Sequence, residues 1–571
     1  MKIPHEGRQF RELARLFFGR FLENDLICLD GDTTATLSNI LALLAAPGVI
    51  LPVLEHFIYA RFPGSPLYIW DFRSLQEKAF YVCFSMTVLG IVIALEWDSL
   101  IPDRRDFTVL RPFPIRLRTL LASKAAALAA FWGVFTLLIN GFSSLTFPMV
   151  VVQDGGFARL AWFIRCHALA VLAGNAFVFL AILALQGLLM NLLGWRWYRR
   201  VSPYAQLLLI AGCLVMFLSL SRLTGAIDPA KPATTAQLWY PPAWFVGLYQ
   251  HDLGWGQPVF TALADRAWQA LGIAALVAAA TFALGYRLHM RRLLEVVESS
   301  PAAPGRLAGL LTNLTHRVLV RTPSERAAFH FVRQTTLRSR RHRGLLAAWA
   351  GAGFALVFHS IAGAIGTGAN STWWQSQHGP LLAVPLVLSF FALCGLRYVF
   401  TMPAELPANW LFQVSGRPDI NEYIGGVRKA VVLVGIVPLF AMLLPVYAAL
   451  WGWMAGCVHI IFGFVIALLL MEALLAGFAK LPFTCSYVPG KANVKSLWAL
   501  YVFAFVIYVS VFSGAELLIL QEPSRIVWLF VFAAMCKACL YLYRRRIPAE
   551  DLAIVFDERP APAVQTLDLQ A

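Results

Sequence analysis

Charged residues are scarce in this sequence. Only 14% of its 571 residues are Asp, Glu, Lys or Arg, whereas 59% are hydrophobic. A soluble globular domain carries about 25% charged residues. The composition therefore excludes an ordinary soluble protein and predicts an all-α polytopic membrane protein.

Signatures of catalysis and of nucleotide binding are also missing. The sequence has no HExxH motif, no GxSxG in a strand context and no paired-aspartate motif, and Gly490-Lys491 lacks the upstream glycine and the following Ser or Thr of a Walker sequence. The nine cysteines include no pair with metal-ligand spacing and histidine partners. We therefore expect no catalytic residues, no metal and no cofactor in this chain.

Apolar runs long enough to cross a membrane recur along the chain. A membrane-spanning helix needs roughly 20 mostly apolar residues, and the sequence predicts about twelve such spans in two groups of six. They are 36–55, 79–96, 125–146, 166–191, 205–222, 268–289, 346–367, 381–401, 430–450, 454–478, 497–516 and 525–543.

The positive charges indicate an orientation. Residues 290–345 contain eleven arginines and three acidic residues, and 97–124, 195–200 and 541–546 are also basic. Cytoplasmic connections collect Lys and Arg, so these segments and both termini are predicted to be cytoplasmic in a bacterial inner membrane. The same rule explains the formal charge of +16, and we expect no nucleic-acid partner.

Five segments follow from this pattern. They are an N-terminal amphipathic segment (1–35), a first six-span half (36–289), a basic linker (290–345), a second six-span half (346–545) and a tail (546–571).

An amphipathic helix is predicted before each half. In the N-terminal segment, Phe10, Leu13, Phe17 and Phe21 share one face, as in a helix that lies in the headgroup layer or in a cytoplasmic helix that packs on other loops. In the linker, 324–343 has a similar basic pattern with Ser324 as a plausible N-cap. The repetition favours a duplicated unit.

The longest predicted outer connection is 223–267. Its centre, LWYPPAWFVGLYQ at 238–250, is rich in Trp and Tyr, which favour membrane interfaces. The pattern predicts a re-entrant or interfacial element.

Polar groups inside the predicted spans are few. A transport path is the functional interpretation of these residues, and hydrogen bonding between helices is the structural one. His459 and Glu472 stand about 20 Å apart along one helix, so they cannot share a site alone. The path candidates are Asn140, Asn175, Gln186, His459 and Glu472.

Two charged, proline-punctuated segments follow spans two and eight. They occupy 96–124 and 401–429 and are candidate contact surfaces for a partner protein. The residues singled out are Asp103, Arg104, Arg105, Asp106, Arg111, Pro112, Pro114, Arg116 and Arg118 in the first, and Glu405, Asn409 and Arg417 in the second.

The first segment resembles a known family. Leu-Arg-Pro-Phe-Pro-Ile-Arg, followed by a lysine and a span, is similar to the loop after the second span of ABC-2-type transporter permeases, where it forms a coupling helix that docks on an ATPase subunit. The strings at 324–343, 238–249 and 481–493 also resemble permeases of bacterial ABC exporters. The second segment lacks the Leu-Arg-Pro-Phe-Pro string, which puts equal coupling of the two halves in doubt.

This resemblance implies an exporter subunit in which two permease halves are fused. Separate ATP-binding cassette subunits would bind and hydrolyse ATP with Mg²⁺, and this chain would not be an enzyme. Its other partners would be the lipid bilayer and a substrate that the sequence does not name. Two alternatives stay open, namely an ion-coupled carrier of the major-facilitator type and a membrane scaffold or regulator that transports nothing.

Overall fold

The computed structural model is overwhelmingly helical, with no strand among the residues that it describes. Those residues are 6–22, 44–56, 74–97, 99–100, 113, 115–152, 156–225, 227–295, 315, 319–366, 380–402, 404, 420–476, 482–484 and 494–546. The chain divides into two compact units, Met1–Ser299 and Ser300–Ala571.

Eleven helices in the described part of the chain are long and apolar enough to cross a membrane. They coincide with the second to twelfth predicted spans to within about ten residues at each end. Part of the first predicted span, 36–55, lies outside the described residues, and the rest falls in the short apolar helix Leu44–His56. The prediction of an all-α polytopic membrane protein with about twelve spans is confirmed.

The first unit contains nine described helices. They are α1 (Glu6–Leu22), α2 (Leu44–His56), α3 (Leu75–Leu95), α4 (Leu117–Val151), α5 (Gly156–Leu218), α6 (Leu220–Gly225), α7 (Thr235–Leu238), α8 (Pro241–Asp252) and α9 (Pro258–Glu295).

Helix α3 lies at the centre of this unit. It packs against α4, α5 and α8, and apolar side chains on all of its faces are buried, including Val82, Met86 and Leu89. A helix that is apolar all round is expected in the interior of a bundle rather than at its lipid surface.

The amphipathic helix α1 packs on α4. Leu13, Phe17 and Phe21 of the predicted apolar face are buried, and the rings of Phe21 and Phe131 lie 5.1 Å apart between centroids. The face therefore contacts protein, but its partner is the long apolar helix α4 rather than a cytoplasmic loop.

The Trp- and Tyr-rich segment forms α8, a short helix inside the first unit. Phe245, Val246 and Tyr249 are fully buried, and α8 packs on α3, α5 and α9. Its N-cap residue, Tyr240, donates its hydroxyl to the carbonyl oxygen of Met216 at 2.7 Å. The tyrosines of the segment, Tyr240 and Tyr249, thus belong to the core of the unit, whereas Trp244 is half-buried and Trp239 is 81% exposed.

Helix α5 is interrupted at Gly194, where φ is +69° and ψ is 165°. This conformation is essentially restricted to glycine. The sequence predicts a connection between the fourth and fifth spans here, but the basic residues after Gly194 are helical. The chain therefore changes direction at one residue instead of through a loop.

The second unit contains eight described α-helices. They are α10 (Pro323–Arg338), α11 (Arg340–Gly366), α12 (Pro380–Val399), α13 (Ile420–Val431), α14 (Val437–Trp451), α15 (Trp453–Leu474), α16 (Val494–Gln521) and α17 (Ile526–Arg546). A π-helical segment, Val432–Ile436, joins α13 to α14.

The predicted amphipathic helix at 324–343 is two helices in the structure. Thr322 caps α10 by accepting a hydrogen bond from the backbone N–H of Glu325, so the prediction of Ser324 as N-cap is wrong. Proline at the first helical position explains the earlier start, since a proline favours that position. Ser339 has an extended ψ of 122° and ends α10.

A tight turn joins α14 to α15. Its only residue outside the helices is Gly452, with φ +82° and ψ 165°. A Cβ atom placed on Gly456 would come within 2.9 Å of the Tyr447 backbone, so the two helices are in close contact beside the turn.

Candidate functional site

Most of the candidate coupling residues lie outside the described part of the chain. They are Asp103, Arg104, Arg105, Asp106, Arg111, Pro112, Pro114, Glu405, Asn409 and Arg417. Of the remaining two, Arg116 is the N-cap residue of α4 and Arg118 lies in its first turn, and both are exposed. The structure also describes the helices that border the two segments.

The first segment is bordered by a contact that we call the first anchor, formed by Phe17, Phe21, Ser99 and Lys124. Lys124 is only 6% exposed. Its Nζ donates to the carbonyl oxygen of Ser99 at 2.8 Å and lies 5.0 Å and 4.8 Å from the ring centroids of Phe17 and Phe21. The anchor therefore joins the end of α3, the first part of α4 and helix α1.

A carboxylate lies beside this anchor. The hydroxyl of Ser99 donates to the side chain of Glu96, which is 2% exposed. The connection between α3 and α4 is thus held at both of its ends by buried polar groups.

The second anchor is the pair Glu325 and Lys429. Nζ of Lys429 lies 2.8 Å from both carboxylate oxygens of Glu325, and this contact joins α10 to α13. The helices are close because Gly426 faces Glu325, and a Cβ atom there would meet the Glu325 carbonyl oxygen at 2.4 Å. In each unit the amphipathic helix therefore packs on the helix that follows a candidate coupling segment.

The carboxyl group of Glu325 has a lowered pKa. Its partial burial acts in the opposite direction, but hydrogen bonds from Lys429 and from the backbone N–H groups of Arg321 and Thr322 favour the charged form. Glu325 is accordingly the ionised partner of Lys429 at neutral pH.

Two of the path candidates are brought together in the first unit. Nδ2 of Asn140 donates to the Ser85 hydroxyl at 2.7 Å, and that hydroxyl donates to Oδ1 of Asn175 at 2.9 Å. Nδ2 of Asn175 lies 3.5 Å from the hydroxyl of Thr136. All four side chains are buried, so Asn140 and Asn175 bond α3, α4 and α5 to one another.

Gln186 lies elsewhere in the same unit and has different hydrogen-bond partners. Its Nε2 donates to the carbonyl oxygen of Trp97 at 2.5 Å and to the hydroxyl of Tyr198 at 3.1 Å. Gln186 is thus separate from the two asparagines and lies near the first anchor, where α3 ends.

A buried lysine at the other end of α3 was not predicted. Lys78 is fully buried, its Nζ donates to Oε1 of Gln250 at 3.0 Å, and it lies 5.0 Å and 5.3 Å from the ring centroids of Phe163 and Tyr249. The Tyr249 hydroxyl also hydrogen-bonds Nδ1 of His167 at 3.1 Å. The predicted span began at residue 79, which placed Lys78 in a loop.

In the second unit, His459 pairs with a carboxylate that the sequence reasoning missed. Its Nδ1 hydrogen-bonds Glu516, and both side chains are 1% exposed. The ring of His459 also lies 4.3 Å and 4.9 Å from the ring centroids of Tyr447 and Trp451. Glu516 was the last residue of the predicted eleventh span, but the helix continues to Gln521.

Glu472 lies in a separate pair. Its carboxylate is 3.4 Å from Nε of Arg428, and the side chains are 14% and 24% exposed respectively. The structure therefore places His459 and Glu472 at two different sites of α15, in agreement with the distance argument from the sequence.

No group of three or more His, Cys, Asp or Glu side chains that could hold a metal ion occurs within the described ranges. The chain matches no protein family profile, no curated protein and no solved structure.

Proposed function

We propose that this chain is the membrane-spanning subunit of an ATP-driven exporter and couples to separate ATPase subunits through the segments after spans two and eight. The observation that carries the proposal is the pair of anchors. Each fixes an amphipathic helix to the span that follows one of these segments, and the first also joins both ends of its segment through Lys124 and Ser99.

The anchors provide a route for mechanical coupling. A segment whose two ends are bonded to one another moves with the helices at those ends, so that a push from a partner is passed to α3 and α4. Alternation between two packings of the halves would then move the substrate. The buried polar residues along α3 fit this function, because they keep the helices of the first unit together as the unit moves.

Charge reversal tests the proposal. The full chain would be co-expressed with a P-loop ATPase encoded by a neighbouring reading frame, and Arg104, Arg105, Arg116 and Arg118 would be changed to Glu together. We expect the ATPase to be lost from the purified complex. A matched control reverses Arg222 and Arg266, which are exposed and predicted to lie on the opposite side of the membrane. Association that survives the fourfold reversal would exclude this coupling.

A second candidate function is an ion-coupled secondary carrier. The specific observation in its favour is the buried pair of His459 and Glu516, since carboxylates within membrane spans are typical of proton and ion relays. Transport by the purified chain in vesicles, without ATP and abolished by collapse of the proton gradient, would support the carrier and contradict the exporter.

A further inference from the structure

An apolar groove opens on the surface of the second unit. It has a volume of about 210 Å³ and is lined by three helical stretches, and every lining residue is apolar or glycine. The residues are Leu346, Ala350 and Phe354 of α11, Leu388, Ala392 and Leu396 of α12, and Val434, Gly435 and Leu439 around the π segment. For comparison, an apolar cavity of about 150 Å³ suffices to hold benzene.

The groove lies within the membrane-spanning part of the chain. All three lining stretches belong to helices long and apolar enough to be spans. The lining residues of α11 extend over about 12 Å of helix axis, from Leu346 to Phe354. Phe354 is 40% exposed at the edge of the groove, so the groove is open there to the surroundings of the spans, which are hydrocarbon.

A basic residue continues the groove beyond its last apolar turn. Arg343, Leu346, Ala350 and Phe354 are spaced by three, four and four residues, which places them on one face of α11. Nε of Arg343 is buried and has no hydrogen-bond partner among the described residues. A guanidinium in this place is suited to a phosphate oxygen.

The neighbouring sequence strengthens the electrostatic argument. Arg338, Arg340 and Arg341 precede Arg343 within six residues. Clusters of Lys and Arg directly beside a membrane span attract anionic lipid headgroups. The positive charge at the end of the groove thus favours anionic lipids over other lipids whose acyl chains could fill the groove.

We propose that this groove binds one acyl chain of an anionic phospholipid, whose phosphate is held by Arg343. The π segment contributes to the site, because its altered helical repeat places Val434 and Gly435 at the groove wall. Segments of this kind occur frequently at functional sites. The inference is independent of whether the chain is an exporter or a carrier.

Lipid binding to the purified full chain tests the proposal. The chain would be delipidated in detergent and titrated with phosphatidylglycerol or phosphatidylcholine of identical acyl chains, and bound lipid would be counted by native mass spectrometry. We expect phosphatidylglycerol to bind more tightly, and Arg343→Gln to weaken its binding by about fivefold, the effect of one basic residue at a membrane surface. Arg266→Gln is the matched control, since Arg266 is exposed and belongs to the first unit rather than to the basic cluster beside the groove.

A second pair of variants tests the acyl chain. Ala350→Phe fills the groove and is expected to reduce binding of both lipids, whereas Ala348→Phe, on another face of α11, leaves binding unchanged. If Ala350→Phe fails to fold, the comparison of lipid binding by the wild-type chain and Arg343→Gln still tests the proposal. Equal binding of the two lipids to the wild-type chain would overturn the proposal. So would a dimer that Ala350→Phe dissociates, since the groove would then be covered by a second copy.

Discussion

In the first unit, Lys124 lies over two phenylalanine rings and donates to a backbone carbonyl, whereas in the second unit Lys429 pairs with the carboxylate of Glu325. The two lysines join the same elements of their units, namely the amphipathic helix and the helix after the candidate coupling segment. The position of the anchor is thus repeated while its chemistry differs.

The same difference extends to other buried groups. Lys78 of the first unit also lies over aromatic rings and donates to the neutral Gln250, whereas Arg428 and His459 of the second unit contact Glu472 and Glu516. A phenylalanine ring stays neutral at every pH, but a carboxylate loses its charge in acid. The contacts of Lys124 with Phe17 and Phe21 and the ion pair of Lys429 with Glu325 are therefore expected to respond differently to acid.

The largest effect is expected where a carboxylate partner is fully buried. Glu516→Ala leaves His459 without its hydrogen-bond partner in the interior, which should lower the free energy of unfolding by about 2–4 kcal/mol. Glu516→Gln keeps one hydrogen-bonding group and should recover part of the loss. Chemical denaturation in detergent micelles measures both.

The exposed pair of Glu522 and Arg525 supplies the control for this measurement. Glu522→Ala removes the same side chain from a solvated position and should change the free energy of unfolding by less than about 1 kcal/mol. Equal effects at positions 516 and 522 would contradict the importance of the buried pair.

Lys124→Met tests the anchor of the first unit. The substitution keeps much of the apolar stem but removes the charged hydrogen bond to Ser99 and the contacts with two rings, with an expected loss of about 2–3 kcal/mol. Lys231→Met is the matched control, because the Lys231 side chain is 76% exposed. If Lys124→Met lowered the free energy of unfolding no more than Lys231→Met does, the contacts of Lys124 would not stabilise the first unit.

A double-mutant cycle resolves the aromatic part of this anchor. Phe21→Leu and Lys124→Met, alone and together, should show a coupling energy of about 0.5–2 kcal/mol, because the ring and the ammonium group interact directly. Additive effects would mean that Phe21 contributes packing alone.

The smallest effect is expected at the second anchor. Glu325→Gln should cost about 1 kcal/mol at neutral pH, since both side chains of the pair are partly exposed. The pKa of Glu325 is lowered by folding, so its stabilisation is present above the ordinary pKa of a glutamate and disappears as the pH falls through the folded value.

Denaturation at several pH values checks this sign. The difference between wild type and Glu325→Gln should shrink in acid, because Glu325 becomes protonated and its ion pair with Lys429 is lost. A Glu325→Gln difference that grows in acid would contradict the ionised pair.

Hydropathy and charge pattern predicted most of the spans and the amphipathic helix α1 because these depend on local sequence, whereas the division of 324–343 into two helices was not predicted. They did not predict that Lys78 and Glu516 are buried. Each residue stands at the edge of an apolar run, where a charged side chain is usually exposed to water. The partners Gln250 and His459 are 172 and 57 residues away, and only the tertiary arrangement identifies them. The π segment is likewise part of a continuous apolar run without a distinguishing residue pattern.

The π segment also sets how far α13 is rotated about the helix axis relative to α14, the helix that follows it. A wider helical turn accommodates one residue more than an α-helical turn, and one residue corresponds to about 100° of rotation. Deleting a single residue from Val432–Ile436 would restore α-helical hydrogen bonding but turn α13 by that angle relative to α14. Lys429 would then point away from Glu325. The π segment therefore gives α13 the rotation that lets Lys429 reach Glu325.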